Sequence, residues 1–114
     1  MLEERIRIIN LLEVYRPLLT EHQQEMMDLY YLQDFSLGEI AEETGTSRQA
    51  VHDVLKRVSR SLENYEGKLH VWERNQYVRK MTASAIDNIR SRDGARVEYG
   101  LSLLNKLQSE LEKE

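Results

Sequence analysis

Apolar and polar positions recur along this chain with a helical period and nowhere with a period of two, so the pattern predicts helices throughout and no sheet. From residue 3 to about residue 16, Ile6, Ile9 and Leu12 share a face that Ile8, Leu11 and Tyr15 widen. Pro17 ends or bends this helix, because it lacks an N–H and its ring crowds the carbonyl of Glu13. Thr20 with Gln23 is a capping box that opens a second helix through Met26, Met27, Leu29, Tyr30 and Tyr31. Gln33, Asp34 and Phe35 connect it to Ser36.

Residues 36–57 carry the clearest pattern. Ser36 and Glu39 form another capping box, and Ile40 and Ala41 follow as inward positions, Ala41 small enough for a close helix crossing. Gly45 supplies a turn in which a positive φ is cheap only without a Cβ. Ser47 caps the next helix, whose apolar stripe is Val51, Val54 and Leu55. Cap, small residue, glycine and stripe fall at helix-turn-helix spacing.

The second of these helices has no obvious stop. Val51, Leu55, Val58, Leu62, Tyr65, Leu69 and Trp72 form a heptad seam that a continuous helix would carry for about 33 Å. Gly67 would cost such a helix roughly 1 kcal/mol, which marks a point where it could break. The seam needs cover from the first helix, the C-terminal helices or a second copy of the chain, and a homodimer is expected on that ground. The stripe then changes phase to Tyr77 or Val78, Met81, Ala85 and Ile89, giving a helix to about Arg90. After a turn over Ser91 to Gly94, a last helix uses Val97, Leu101, Leu104, Leu107 and Leu111. The expected architecture is all-α, with about five helices and no wing. It forms a single domain over 1–114, with a helix-turn-helix core at 20–66 and a helical C-terminal extension at 67–114.

Composition narrows the classes. A chain of 114 residues, 40% apolar and 32% charged, is globular and long enough to bury a core. It has no cysteine, which fits a reducing cytoplasm and excludes thiolate metal sites. No signal-peptide pattern opens it and no apolar run reaches membrane-spanning length, so a cytoplasmic protein with no membrane partner is expected. The net charge of −4 conceals a segregation: residues 1–46 carry −7, residues 47–92 carry +5 and residues 93–114 carry −2. The sign turns positive where a phosphate-facing helix would begin.

The candidate contact residues lie on that helix. Ser47, Arg48, Gln49, His52 and Lys56 lie clear of its stripe, as does Asp53. Arginine can fork onto guanine and glutamine onto adenine, while Lys56 and Arg57 suit phosphates. The plainer reading makes the Arg-Gln pair and His52 ordinary solvated positions, with Asp53 repelling phosphate. Glu39, Glu42 and Glu43 on the preceding helix weigh on that side. Tyr30, Tyr31 and Trp72 could stack on bases, although at helical spacing such residues more often serve core or interface. His22, His52 and His70 lie in different segments without a recognised ligand partner, and neither a nucleophile motif nor a glycine-rich phosphate loop occurs. No enzyme, cofactor or metal is expected.

The run from Thr20 to Leu69 resembles region four of bacterial sigma factors in layout, with Ser-Leu-x-Glu-Ile-Ala-Glu followed by Gly-x-Ser-Arg-Gln-Ala-Val. Four stretches, Asp34-Phe-Ser-Leu37, Ser47 through Asp53, Leu62-Glu-Asn-Tyr-Glu66 and Lys68-Leu-His70, resemble more narrowly the YlxM family. These are small helix-turn-helix proteins of Gram-positive bacteria, encoded beside genes of the signal recognition particle GTPase or its receptor. The likeness covers roughly residues 3–80. It implies regulation of, or participation in, the signal recognition particle pathway, with DNA or the particle's RNA as ligand and the particle's GTPase as a further partner. Likeness to sigma region four implies DNA-contact roles for Arg48, Gln49, His52 and Lys56. Asp53 and the acidic helix before it depart from the sigma pattern, which counts against promoter-type binding. An adaptor that docks on the GTPase without nucleic acid is the alternative.

Overall fold

A computed structural model describes residues 1–113, and no strand occurs among them. There are six α-helices: α1 (Leu2–Tyr15), α2 (Glu21–Met27), α3 (Leu37–Thr44), α4 (Arg48–Leu69), α5 (Val71–Arg90) and α6 (Gly94–Glu112). Pro17 lies in a short 3₁₀ turn, Arg16–Leu18, directly after α1. Both capping boxes form in full. The Thr20 hydroxyl accepts from the Gln23 amide at 3.1 Å and the Gln23 side chain accepts from the Thr20 amide at 3.0 Å. Ser36 and Glu39 repeat the exchange at 3.1 and 2.9 Å. Each satisfies amides that the first helical turn leaves without partners.

The helix through Tyr30 and Tyr31 is present but does not keep α-helical winding. After α2 the chain widens into a π-turn, Asp28–Leu32, closed by the Gln33 amide on the Asp28 carbonyl at 2.9 Å. Glycine does what was expected at position 45: φ is +70°, and the Thr46 amide folds back onto the Ala41 carbonyl at 3.0 Å to stop α3. Two residues after Gly45 the Ser47 hydroxyl accepts from the Ala50 amide at 3.1 Å and α4 begins.

Two compact units make up the chain, Met1–Trp72 and the residues from Glu73 on. In the first, α4 is the central rod on which α1, α2 and α3 pack. Leu11, Leu12, Met26, Met27, Ile40, Val51, Val58 and Leu62 are all less than 2% exposed. The inward stripe of α1 is Ile8, Leu11, Leu12 and Tyr15, one helical repeat of i, i+3, i+4 and i+7. Ile6, expected on the core face, is instead 49% exposed, because the direction of α4 selects the other edge of the apolar arc.

The seam is covered from within the chain. Val51, Leu55, Val58 and Leu62 are buried under α1, α2 and α3, so these positions place no demand on a second copy. The rod is also shorter than the seam. It ends at Leu69, where His70 takes the left-handed conformation with φ +54°, while Gly67 stays helical. Leu69 is consequently 56% exposed, and Trp72 packs half-buried against the core with the Arg7 guanidinium 5.6 Å over its ring.

In the second unit α5 and α6 approach closely at Gly100, where a Cβ would stand 2.8 Å from the Ala85 carbonyl oxygen. Tyr77 donates to Glu110 at 2.7 Å, and Arg96 donates to Asp87 and Asn88 at 3.2 and 3.1 Å. Of the stripe expected in the last helix, Leu107 is buried and Val97 and Leu104 are half-buried. Leu101 and Leu111 are 49% and 41% exposed, since α5 shields only one side of α6 within this unit.

Candidate nucleic-acid interface

The turn at Gly45 and the Ser47 cap together set where α4 starts and which side of it stays open. Val51, Leu55 and Val58 turn inward. Arg48, His52 and Lys56 then follow one another at single-turn intervals on the solvent side, with Gln49 and Asp53 beside them. All five, and Ser47 and Arg57, are exposed. Arg57 lies about 100° around the helix from Lys56 and so faces a different direction.

The individual side chains are not equally ready for a ligand. The Ser47 oxygen already serves the Ala50 amide, leaving its O–H to donate. Arg48 lies back over the first turn of α3, so that a Cβ on Gly38 would meet its Nε at 3.0 Å and its Nη2 at 3.1 Å. Gln49 donates to the Asp53 carboxylate at 2.9 Å, and His52 Nδ1 stands 3.7 Å from the same oxygen. Asp53 therefore occupies the Gln49 amide, one of the two side chains suited to reading base edges, and borders His52. Lys56 and Arg57 have no intramolecular partner among the described residues.

On α3, Glu39 is consumed by its cap. The Ser36 amide holds its carboxyl below the usual carboxylate range. Glu42 and Glu43 are solvent-exposed. The surface thus offers cations and amide donors along α4, bordered by acids at its opening end.

The family model described as "Putative helix-turn-helix protein, YlxM / p13 like", UPF0122, matches residues 2–110. The chain belongs to the UPF0122 family. A UPF0122 protein of Clostridium kluyveri is 50% identical over 90 residues, covering 79% of this chain and 81% of that protein. One of Limosilactobacillus reuteri is 43% identical over 112 residues, with 96% and 98% covered. One of Lactiplantibacillus plantarum is 51% identical over 81 residues, with 68% and 70% covered. The UPF0122 match and the geometry agree on a helix-turn-helix of which α4 is the second helix.

Three features of this UPF0122 chain escaped the sequence pattern. Arg60 continues the exposed basic edge one turn beyond Lys56, a spacing that could have been read. Arg5 reaches from α1 to the carbonyl of Tyr30 at 2.7 Å, a tertiary contact with no local signature. Glu66 stands one turn before His70, a carboxylate–histidine spacing that the pattern reading passed over. Its Oε1 is engaged by the Tyr15 hydroxyl at 2.6 Å and the Trp72 amide at 3.0 Å. No helix among the described residues is long and apolar enough to cross a membrane.

Proposed function

We propose that this UPF0122 chain is a non-enzymatic regulatory protein that binds nucleic acid with the exposed face of α4. The observation that carries this reading is the open line of Arg48, His52 and Lys56, on a helix whose opposite face is locked into the core. Arg48 and Gln49 supply base-edge donors at the helix start, and Lys56 and Arg57 supply phosphate charge farther on. Action in the signal recognition particle pathway, on DNA or on the particle's RNA, rests on the family resemblance.

Five or six phosphate contacts would make observed affinity fall with salt at a log–log slope of about −5. Replacing Arg48 and Lys56 together by Ala is expected to weaken binding and to flatten that slope by roughly 1, the share of the Lys56 phosphate contact. Fluorescence anisotropy titrations over a range of salt measure both quantities. A slope and affinity equal to those of the unaltered protein would remove these residues from the site.

The second reading, an adaptor on the particle's GTPase, draws support from Asp53. With the Gln49 amide donating to that carboxylate, one of the two base-reading donors is already occupied. A pull-down with the GTPase that survives nuclease treatment, together with unaltered nucleic-acid titrations in the double variant, would favour the adaptor. For the expected homodimer, Val51, Leu55, Val58 and Leu62 of the seam are covered by α1, α2 and α3, and Leu69 is the seam position left exposed.

A further inference from the structure

A groove of about 810 Å³ opens between α1, the π-turn and the middle of α4, entirely within the first unit. One wall is apolar and aromatic: Ile8, Tyr30 and Tyr31 line it, and both tyrosines keep their other side against the core. Their rings meet edge to face, with centroids 4.9 Å apart and planes at 82°. The Arg5 guanidinium lies 5.2 Å from each centroid and donates to the carbonyls of Tyr30 and Tyr31 at 2.7 and 3.3 Å. Those carbonyls end a widened turn, so the cation satisfies them and complements the helix dipole there. Arg5 also contacts Asp34 at 3.2 Å, which fixes its fork and with it the aromatic wall.

The opposite rim belongs to α4. Lys56 and Arg60 line it one turn apart, exposed and without an intramolecular partner among the described residues. Two acids also line the groove. Glu63 is held by Arg7 at 2.6 and 3.0 Å, and Glu4 is exposed. A rigid aromatic wall a short distance from two free cations suits a ligand with a flat ring and an attached anion. The size lies in the range of sites that enclose a small organic molecule.

We propose that this groove takes an unpaired nucleotide of a single-stranded or looped nucleic acid, its base against Tyr30 and Tyr31 and its phosphate at Lys56 and Arg60. The proposal rests on the reading that α4 binds nucleic acid, and it specifies the form of the ligand. A base inside a duplex is stacked and paired on both sides and cannot enter, whereas an unstacked one can lie on an aromatic face. Lys56 belongs both to the α4 contact line and to the groove rim, so a strand can run from Arg48 along α4 and turn one nucleotide inward. The π-turn gives a reason for the wall: such widened turns re-aim side chains and recur at functional sites.

The test uses the full chain, a short fluorescein-labelled unstructured RNA strand, the same strand annealed to its complement, and free AMP as competitor. At fixed salt the single strand is expected to bind more tightly than the duplex. Tyr31→Ala should lower strand affinity about 5- to 150-fold, the effect of losing one stacking platform, and Tyr31→Phe should preserve it. Arg60→Gln, which removes no intramolecular contact, should weaken strand binding by a larger factor than duplex binding. If Tyr31→Ala fails to fold by circular dichroism, Arg60→Gln and Tyr31→Phe still decide. Strand affinity unchanged in Tyr31→Ala or Arg60→Gln would overturn the groove, and AMP displacing the strand at equal concentration would make it a free-nucleotide pocket instead. Strand and duplex binding that Arg48→Ala weakens alike, with strand affinity independent of Tyr31 and Arg60, would leave the α4 reading standing without the groove. No binding to either probe would remove both.

Discussion

Glu66 is 5% exposed, an unusual station for a carboxylate, and its surroundings show why it is tolerated. The Tyr15 hydroxyl donates to it at 2.6 Å and the Trp72 amide at 3.0 Å, while the Val71 amide donates to the Tyr15 oxygen at 3.3 Å. The end of α1 is thereby tied to the place where α4 stops and α5 starts. Burial, and then the bond to Glu66, push the Tyr15 hydroxyl above the usual tyrosine range. A raised folded value means that this contribution to stability is complete below that range and is lost as pH climbs through the raised value. Tyr15→Phe deletes the donor and leaves a buried carboxylate short of a partner. It is expected to cost about 1.5–3 kcal/mol in urea denaturation, and a cost below about 0.5 kcal/mol would contradict this role. Glu66 escaped the pattern reading, although its place one turn after Leu62 puts a charge beside the seam. Its partner lies 51 residues away, and local periodicity cannot reach that far.

At the scale of elements, the caps were the most readable feature because each is a contact between residues three apart. Thr20 with Gln23, Ser36 with Glu39, and Ser47 form as their spacing implies. Left-handed stops were readable only where glycine announced one, at Gly45. His70 and Arg92 adopt φ of +54° and +63° with ordinary side chains, while Gly67 and Gly94 lie inside helices. The π-turn has no sequence signature, and the Arg5 bonds that meet its Tyr30 and Tyr31 carbonyls come from 25 and 26 residues away. The second capping box also carries a pH dependence. Glu39 is held below the usual carboxylate range by the Ser36 amide, so its support for α3 is full above that range and fades as pH falls through the depressed value. Glu39→Gln keeps a capping acceptor that does not titrate. Amide exchange across α3, followed from neutral pH into acid, should show the unaltered chain losing protection relative to this variant. A difference that stays constant over the whole range would count against the carboxylate.

For the molecule as a whole, the sequence pattern conveyed a helical chain with a helix-turn-helix near its middle, and the structure has that arrangement. The division after Trp72 was less visible, because the apolar stripe continues across it with only a change of phase. What separates the units is contact, and contact in the second unit depends on one missing side chain. Ala in place of an interior helical glycine ordinarily stabilises by about 1 kcal/mol. At Gly100 the added methyl would stand 2.8 Å from the Ala85 oxygen and 2.9 Å from Ile89 Cγ1, so the two helices must separate. Gly100→Ala is therefore expected to reduce amide protection in α5 beyond residue 73 and in α6, leaving the α4 core amides as they were. Increased protection in α6 would show that the helices can absorb the methyl. The charge segregation seen along the chain also acquires a location: the unpaired Lys56, Arg57 and Arg60 all project from the rod that organises the first unit.

The bare Cα of Gly38 is the shelf on which Arg48 rests. The guanidinium rests on its own scaffold while staying exposed to solvent, and no hydrogen bond among the described residues anchors it there. In the proposed binding by α4, capture of a ligand amounts to lifting an arm off a ledge, and the smoothness of that ledge bears on how readily the arm swings. Roughening it by a single methyl would oblige the arm to give by a few tenths of an ångström before any visitor arrives.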